Sequence, residues 1–499
     1  GKAQHPQTGA LTPRQPSSPR RGVEARRAAV HAHDDAAQPV LADLELTLGL
    51  VAFGHAEMVV GAVRPVTPVR HTRHVNSGQT PSELERRALD AVDLDGILSD
   101  LRELVAIPSV GGTTGEHEAQ QWCADRLGSL GHEVDHWRVD VRELAEQDGF
   151  PGQEAERDTA HGCVGVLGDG EEPALVFCGH TDVVPPGDLD RWPDRDPYTL
   201  RVQDGIAAGR GTCDMKGGLA AVFGALQALR TAGIELARPL AVHTVVGEED
   251  GGLGTFATLR RGHRGAACVL AEPSSGTVVA ANGGSLTFRL EITGQSTHGS
   301  TRYRGVNALD KLAALLPALR ELEARRNADP DPLVAHLEVP YPLSIGMARV
   351  GDWASTVPDL AIAEGRYGVR IGESIEDAKA EFAQAIADAC AADPWLAEHP
   401  VQVSWPGGTF ASGRLPEGHP LLPETQDAVV AAGGPRPAAV GAPYGTDLRL
   451  YAGAGIPTLQ YGPGDIRYAH AHDEHVAISE LEQAARAYAL LAIRRCGVA

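Results

Sequence analysis

Four short stretches of this chain are predominantly apolar: residues 174–178, 240–246, 266–270 and 458–461. Continuous apolar runs of this length suit parallel strands whose two faces are both buried. Around them, apolar positions recur at helical spacing. Residues 88–105 carry Leu89, Val92, Ile97, Leu98, Leu101 and Leu104, and Ile107 with Pro108 stops the pattern. A second helix is predicted over 116–130, with Gly131 as its stop signal. An Ala- and Leu-rich helix spans 217–232, between the first two strands, and another closes the chain at 478–495. This alternation predicts an α/β fold, a mostly parallel sheet flanked by helices.

At Gly284 the pattern changes. Residues 286–292 alternate apolar and polar, as a half-exposed antiparallel strand does. A long amphipathic helix follows at 306–326, then strand-like pieces near 341–350 and 360–371, a helix at 375–391 and a strand at 401–405. The expected organisation is an α/β domain over 88–283 and 411–499, interrupted by an inserted α+β domain over 284–410. There is no internal repeat.

The first 80 residues differ from the rest. They are rich in Pro, Arg, Ala and His and show little periodicity. Their one apolar patch, 40–60, contains Asp43, Glu45, His55 and Glu57, which excludes a signal-peptide core and leaves room for a short amphipathic helix. The expectation is a disordered N-terminal extension. Since the chain does not begin with Met, two readings stay open: sequence lying upstream of a true start near Met58 or Val75, or an ordinary disordered tail.

Composition narrows the classes. A chain of 499 residues is too long for one ordinary core. Its formal net charge of -22 excludes a nucleic-acid binder, whose phosphate partners need a basic surface. The first 80 residues hold more basic than acidic side chains, so the whole acidic excess falls in the remainder. No run reaches the ~18 apolar residues of a membrane span. The seven cysteines (Cys123, Cys163, Cys178, Cys213, Cys268, Cys390 and Cys496) stand singly, with no C-x-x-C pair. They read as reduced, buried thiols of a cytoplasmic protein rather than as a thiolate zinc site.

Chemistry is carried by where the polar residues fall. Each of the four apolar runs ends on a His or a carboxylate. The first leads to His180 and Asp182, the second to Glu248, Glu249 and Asp250, the third to Glu272, and the fourth to His470, His472, Asp473 and Glu474. In an open α/β sheet, ligands bind beyond the carboxyl ends of the strands. His180 and Asp182 are two apart, so on an extended segment the Asp carboxylate reaches the second ring nitrogen of the His and makes the first a better ligand. The Gly-rich stretch 209–218 lacks the Gly-Lys-Ser/Thr ending of a phosphate loop. Its single carboxylate, Asp214, suits a metal-bridging ligand on an unusual backbone path. Glu248 and Glu249 would repel each other in a pocket without a cation. A metal resolves this, one Glu binding it and the other taking a proton from its water. The ligand inventory, two His and three carboxylates, fits zinc, with cobalt or manganese as substitutes.

In order along the chain, GHTDVVP, GRGTCDMKGG, GEED, AEPSS and AHAHDEHV closely resemble the motifs of the dinuclear zinc family of aminoacylases, which includes acetylornithine deacetylase, succinyl-diaminopimelate desuccinylase and glutamate carboxypeptidase. The resemblance runs from about Leu94 to the C-terminus. It implies a zinc-exopeptidase-like catalytic domain with an inserted dimerisation or lid domain, a homodimer, and two Zn2+ per subunit. One zinc would be held by His180, Asp214 and Glu272, the other by Asp214, Glu249 and His470. Glu248 would be the general base and Asp182 the partner of His180. It further implies that His298, in the stretch 294–308, meets the substrate carbonyl, and that Asn307 and Arg370 bind the substrate, Arg370 through a carboxylate. Two positions depart from the family pattern. His472 stands where relatives often have Pro, so it competes with His470 as ligand, and Ser355 stands where many have Asn. The implied activity is hydrolysis of the amide of a small N-acyl amino acid, in the manner of an acetylornithine deacetylase. A dipeptidase or glutamate carboxypeptidase is the alternative, and a non-catalytic binding protein of the same fold the rival from another class.

Overall fold

The computed structural model describes residues 80–170 and 172–499; the expected N-terminal extension and its amphipathic patch lie outside the described residues. The four apolar runs are four neighbouring parallel strands. In sheet order they are Leu240–Val245, Leu175–His180, Cys268–Leu270 and Thr458–Gln460. Apolar residues predominate in them because both faces are covered, and the polar exceptions His243, Thr244, Thr458 and Gln460 are buried as well. On one side Leu175 and Phe177 pack with the helices Lys216–Thr231 and Ile478–Cys496. On the other, Val176 and Cys178 meet Leu448 and Tyr451 of the helix Leu448–Gly453. Burying such runs on both faces is a hydrophobic gain.

Five further strands extend this sheet to nine. Thr159–Leu167 and Glu133–Asp140 lie outside Leu240–Val245, and Val278–Asn282, Gly413–Arg414 and Ala439–Ala442 lie at the other end. The outermost, Glu133–Asp140, shows solvent much of its surface, and its charged residues hid it from the apolar pattern. The single helix expected over 88–105 is two, Glu83–Asp90 and Leu94–Ala106. Ser82 and Glu85 cap the first with reciprocal hydrogen bonds, and Asp93, extended at φ -105°, starts the second.

A separate antiparallel sheet of five strands follows the change of pattern. Gly284–Thr293 lies between Leu360–Val369 and Gln402–Ser404, Thr409–Phe410 also pairs with it, and Leu343–Val350 forms the outer edge. Leu286, Phe288, Leu290 and Ile292 point into a core shared with Leu312, Leu315 and Leu319 of the helix Ala308–Arg326 and Phe382 and Ile386 of Ile375–Ala391. The chain leaves the large sheet at Gly283 and returns to it between Thr409–Phe410 and Gly413–Arg414. All seven cysteines are buried and unpaired. No helix among the described residues is long and apolar enough to cross a membrane.

The helix Lys216–Thr231 begins directly beneath the carboxyl ends of the parallel strands, and glycine makes this possible. A methyl group at Gly218 would overlap the carbonyl oxygen of Ala271, whereas one at Gly128, on an exposed helix position, would meet nothing. Gly218→Ala is expected to cost about 2–3 kcal/mol of stability, and Gly128→Ala to add up to about 1 kcal/mol. Denaturant midpoints of the two variants check this, and equal shifts would contradict the packing described.

Candidate metal centre

The carboxyl ends of the parallel strands bring together residues far apart in sequence. His180 is the last residue of its strand, Glu248 and Glu249 follow Leu240–Val245, Glu272 follows Cys268–Leu270, and His470 lies on the loop beyond Thr458–Gln460. Asp214 reaches the same place from the loop ahead of the helix Lys216–Thr231, where its peptide bond to Met215 is cis. Its two oxygens face different partners. Oδ1 lies 3.0 Å from His180 Nε2, and Oδ2 lies 3.4 Å from His470 Nε2. Glu272 Oε1 is 3.7 Å from His180 Nε2, and Glu249 Oε2 is 3.0 Å from His470 Nε2. Two groups result, His180–Asp214–Glu272 and Asp214–Glu249–His470, and within each the candidate ligand atoms lie within 4.8 Å of one another.

Electrostatics shows why a cation belongs here. Burial, reinforced by Glu272, drives the Glu248 carboxyl well above the usual carboxylate range. Burial with Asp214 and Glu249 does the same to Glu272. Burial and Asp214 push Glu249 up to about 7. For Asp214, hydrogen bonds from His180 and His470 outweigh burial and hold it low. Hydrogen bonds to Asp214 and Glu249 raise His470 to about 11. For His180, burial works against charge, but Glu272, Asp214 and Asp182 outweigh it. Four carboxylates packed this closely cannot all be charged without a cation. Glu248 Oε1 has no hydrogen-bond partner among the described residues. Two imidazoles and three carboxylates form an N/O donor set that suits zinc, cobalt or manganese.

The other expected site residues fall in different places. Asp182 is fully buried beside His180, but His180 Nδ1 is closest to the Asp182 main-chain oxygen, at 2.9 Å, while the carboxylate lies at 3.7 Å. The strand ends at His180, so the extended geometry that would align the two side chains is lost. The carboxylate instead accepts the main-chain N–H of Glu249 at 3.2 Å. His472 is outside both groups; its ring lies 6.1 Å from that of Trp192.

Three residues of the second sheet unit do not line the cavity at the centre, which has a volume of about 340 Å3. His298 is exposed, and its Nδ1 accepts the main-chain N–H of Ser300. Asn307 caps the helix Ala308–Arg326 through the N–H of Leu309. Arg370 turns to Glu373 and Glu381, at 4.0 and 3.5 Å. Arg366 lines the cavity in its place. Tyr444, Thr446, Ser285, Phe410 and Ile466 also line it and were not foreseen. Tyr444 and Thr446 follow the strand Ala439–Ala442, the same signal of a strand running into polar residues, in a strand too short to register.

Fold and donor set together define the class, an α/β metallohydrolase. Residues 176–494 match the family described as Peptidase family M20/M25/M40, and the chain belongs to that family. It is an amide hydrolase. It is 29% identical over 421 residues to N-formyl-4-amino-5-aminomethyl-2-methylpyrimidine deformylase of Halalkalibacterium halodurans, covering 78% of this chain and 91% of the relative. It is 27% identical over 394 residues to acetylornithine deacetylase of Proteus mirabilis, covering 76% and 92%. A tripeptidase from Staphylococcus aureus shares the fold, with a TM-score of 0.64 at 19% identity over 81% of this chain and 99% of that one.

The geometry separates the two candidate histidines. His470→Ala is expected to lose one metal ion per chain, and His472→Ala none, as read by elemental analysis after dialysis. Protons held by His470 and Glu249 must leave when metal enters, because their metal-free pKa values are about 11 and about 7. Metal affinity should therefore rise from about pH 6 to about pH 8, with proton release on binding. Affinity that is flat or falls over that range would contradict the ligand set.

Proposed function

We propose that the chain removes the acyl group from a small N-acyl amino acid or related amide, using two zinc ions. One would be held by His180, Asp214 and Glu272, the other by Asp214, Glu249 and His470. The observation that carries this reading is Asp214, whose two oxygens face two separate sets of ligands. Relatives named for removing formyl and acetyl groups favour a deacylase over a peptidase.

When bound, the ions supply Lewis acidity toward the carbonyl and lower the pKa of water. The protein's own residues do the rest. Glu248, buried at the cavity wall with a free oxygen, takes a proton from the attacking water and passes it to the leaving amine. Asp182 keeps His180 oriented through its main-chain oxygen and secures Glu249 through its carboxylate. An acidic group on the substrate falls to Arg366 rather than Arg370. Arg366 lines the cavity, donates to the Pro443 carbonyl at 2.6 Å, keeps an unpartnered Nε, and forms no ion pair among the described residues.

His298 acts across a homodimer in this reading. With Nδ1 accepting from Ser300, its hydrogen sits on Nε2 and is free to be donated to the carbonyl oxygen of a substrate in the partner subunit. Among the described residues the second sheet ends in the edge strand Leu343–Val350, and apolar side chains are exposed on the same unit, among them Met347, Leu309 and Trp353, the last 73% exposed. A second copy of this chain would cover such an edge.

Glu248→Gln should keep both metals and lower turnover of N-acyl amino acids by at least ~10²-fold. Near-normal turnover with both metals bound would contradict its role. His298→Ala should lower kcat by roughly 10²–10³-fold. Mixing it with Glu248→Gln under subunit exchange should restore part of the activity, since one site of each hybrid has both groups. Hybrids without activity would remove His298 from the partner's site.

A further inference from the structure

Two residues of the recognised motifs take no part in the chemistry above, Arg210 and Glu474. Both are buried, with side chains 2% and 0% exposed, and they pair at 2.6 Å. A buried ion pair gains little stability over apolar side chains of the same size. What distinguishes this one is the set of loops it joins. Glu474 Oε1 accepts the main-chain N–H groups of Cys213 and Asp214, each at 3.1 Å. Arg210 donates to the main-chain oxygens of His470, Ala471 and Pro185, each at 3.4 Å. Its guanidinium also lies 5.2 Å from the ring centre of Trp192, whose indole N–H donates to Pro186. One pair thus ties together the loop of Asp214, the loop of His470 and the segment that follows Asp182.

The need for such a tie differs among the candidate ligands. His180 is the end of a buried strand, so the sheet itself holds it. His470 is on an exposed loop, its side chain is 53% exposed, and its backbone has a φ of +63°. A non-glycine residue stays in that left-handed region only where its surroundings hold it there. Arg210 grips the carbonyl of that residue.

We propose that Arg210 and Glu474 are a positioning pair that sets His470 against Asp214, and so governs the affinity of the Asp214–Glu249–His470 site in particular. The inference rests on the metal ligands proposed above. Orienting groups behind metal ligands commonly carry 10–100-fold in affinity. The fork of Arg210 reaches several main-chain oxygens at once, which lysine cannot do.

The test is titration of the metal-free protein with Co2+, followed by visible absorption, with zinc competition for tight steps. His470→Ala first identifies the binding step that belongs to His470. If that variant still shows both steps, the metal reading fails, whatever the pair does. In Glu474→Gln the His470 step should weaken by roughly 10–100-fold and the other step by much less. Arg210→Lys, which keeps the charge, should show the same selective loss and serves if Glu474→Gln does not fold. Unchanged affinity at both steps, or an equal loss at both, would overturn the proposal. So would failure of both variants to fold, since the pair would then hold the whole protein and not this site.

Discussion

Four carboxylates line one cavity of this protein, Asp214, Glu248 and Glu272 buried and Glu249 half-buried. Their mutual repulsion is the constraint on which the rest of the structure turns. Carboxylates in so dry a place either take up protons or gather cations. The protein does some of both through its own groups, since the His180 and His470 rings lie against Asp214, while Glu248 and Glu272 are driven toward the protonated form. A divalent metal would satisfy the same cluster with the histidines neutral. A site that resists folding around its own charges is in this way disposed to bind metal and to keep one carboxylate, Glu248, available for proton transfer.

The architecture makes this concentration of charge tolerable. Parallel strands covered on both faces form a stiff platform, and their carboxyl ends present His180, Glu248, Glu249 and Glu272 side by side. Glycine lets the helix Lys216–Thr231 approach close enough for Asp214 to stand between the two sets. His470 comes from an exposed loop that the sheet does not hold, and the buried Arg210–Glu474 ion pair lies against its main chain. The second sheet adds Arg366 and Ser285 to the cavity wall, so the cavity is lined from both sheets.

Much of this was legible in the sequence, for physical reasons that also mark the limits. A run such as Leu175 to Cys178 is apolar because both faces are buried, and that condition alone identifies a central parallel strand. A His or carboxylate at its end then has little purpose but to bind something, which is why His180, Glu249 and Glu272 stood out. Phe288 and its alternating neighbours revealed the second sheet for the same kind of reason. Edge strands such as Glu133–Asp140 did not show, because an exposed face carries no apolar signal. Arg366 did not show in the sequence, since which arginine turns toward the cavity depends on Pro443, Glu373 and Glu381, distant or unrelated in local pattern. The Asp182 carboxylate was misplaced because two-residue spacing aligns side chains only while the strand continues.

The central claim is that Asp214 stands between two metal ions. Anomalous diffraction at the zinc edge from zinc-loaded crystals tests it most directly. The account requires two peaks about 3.5–4 Å apart, one beside His180 and Glu272 and the other beside Glu249 and His470, with an oxygen of Asp214 on each. A single peak, or a second peak away from Asp214, would contradict it.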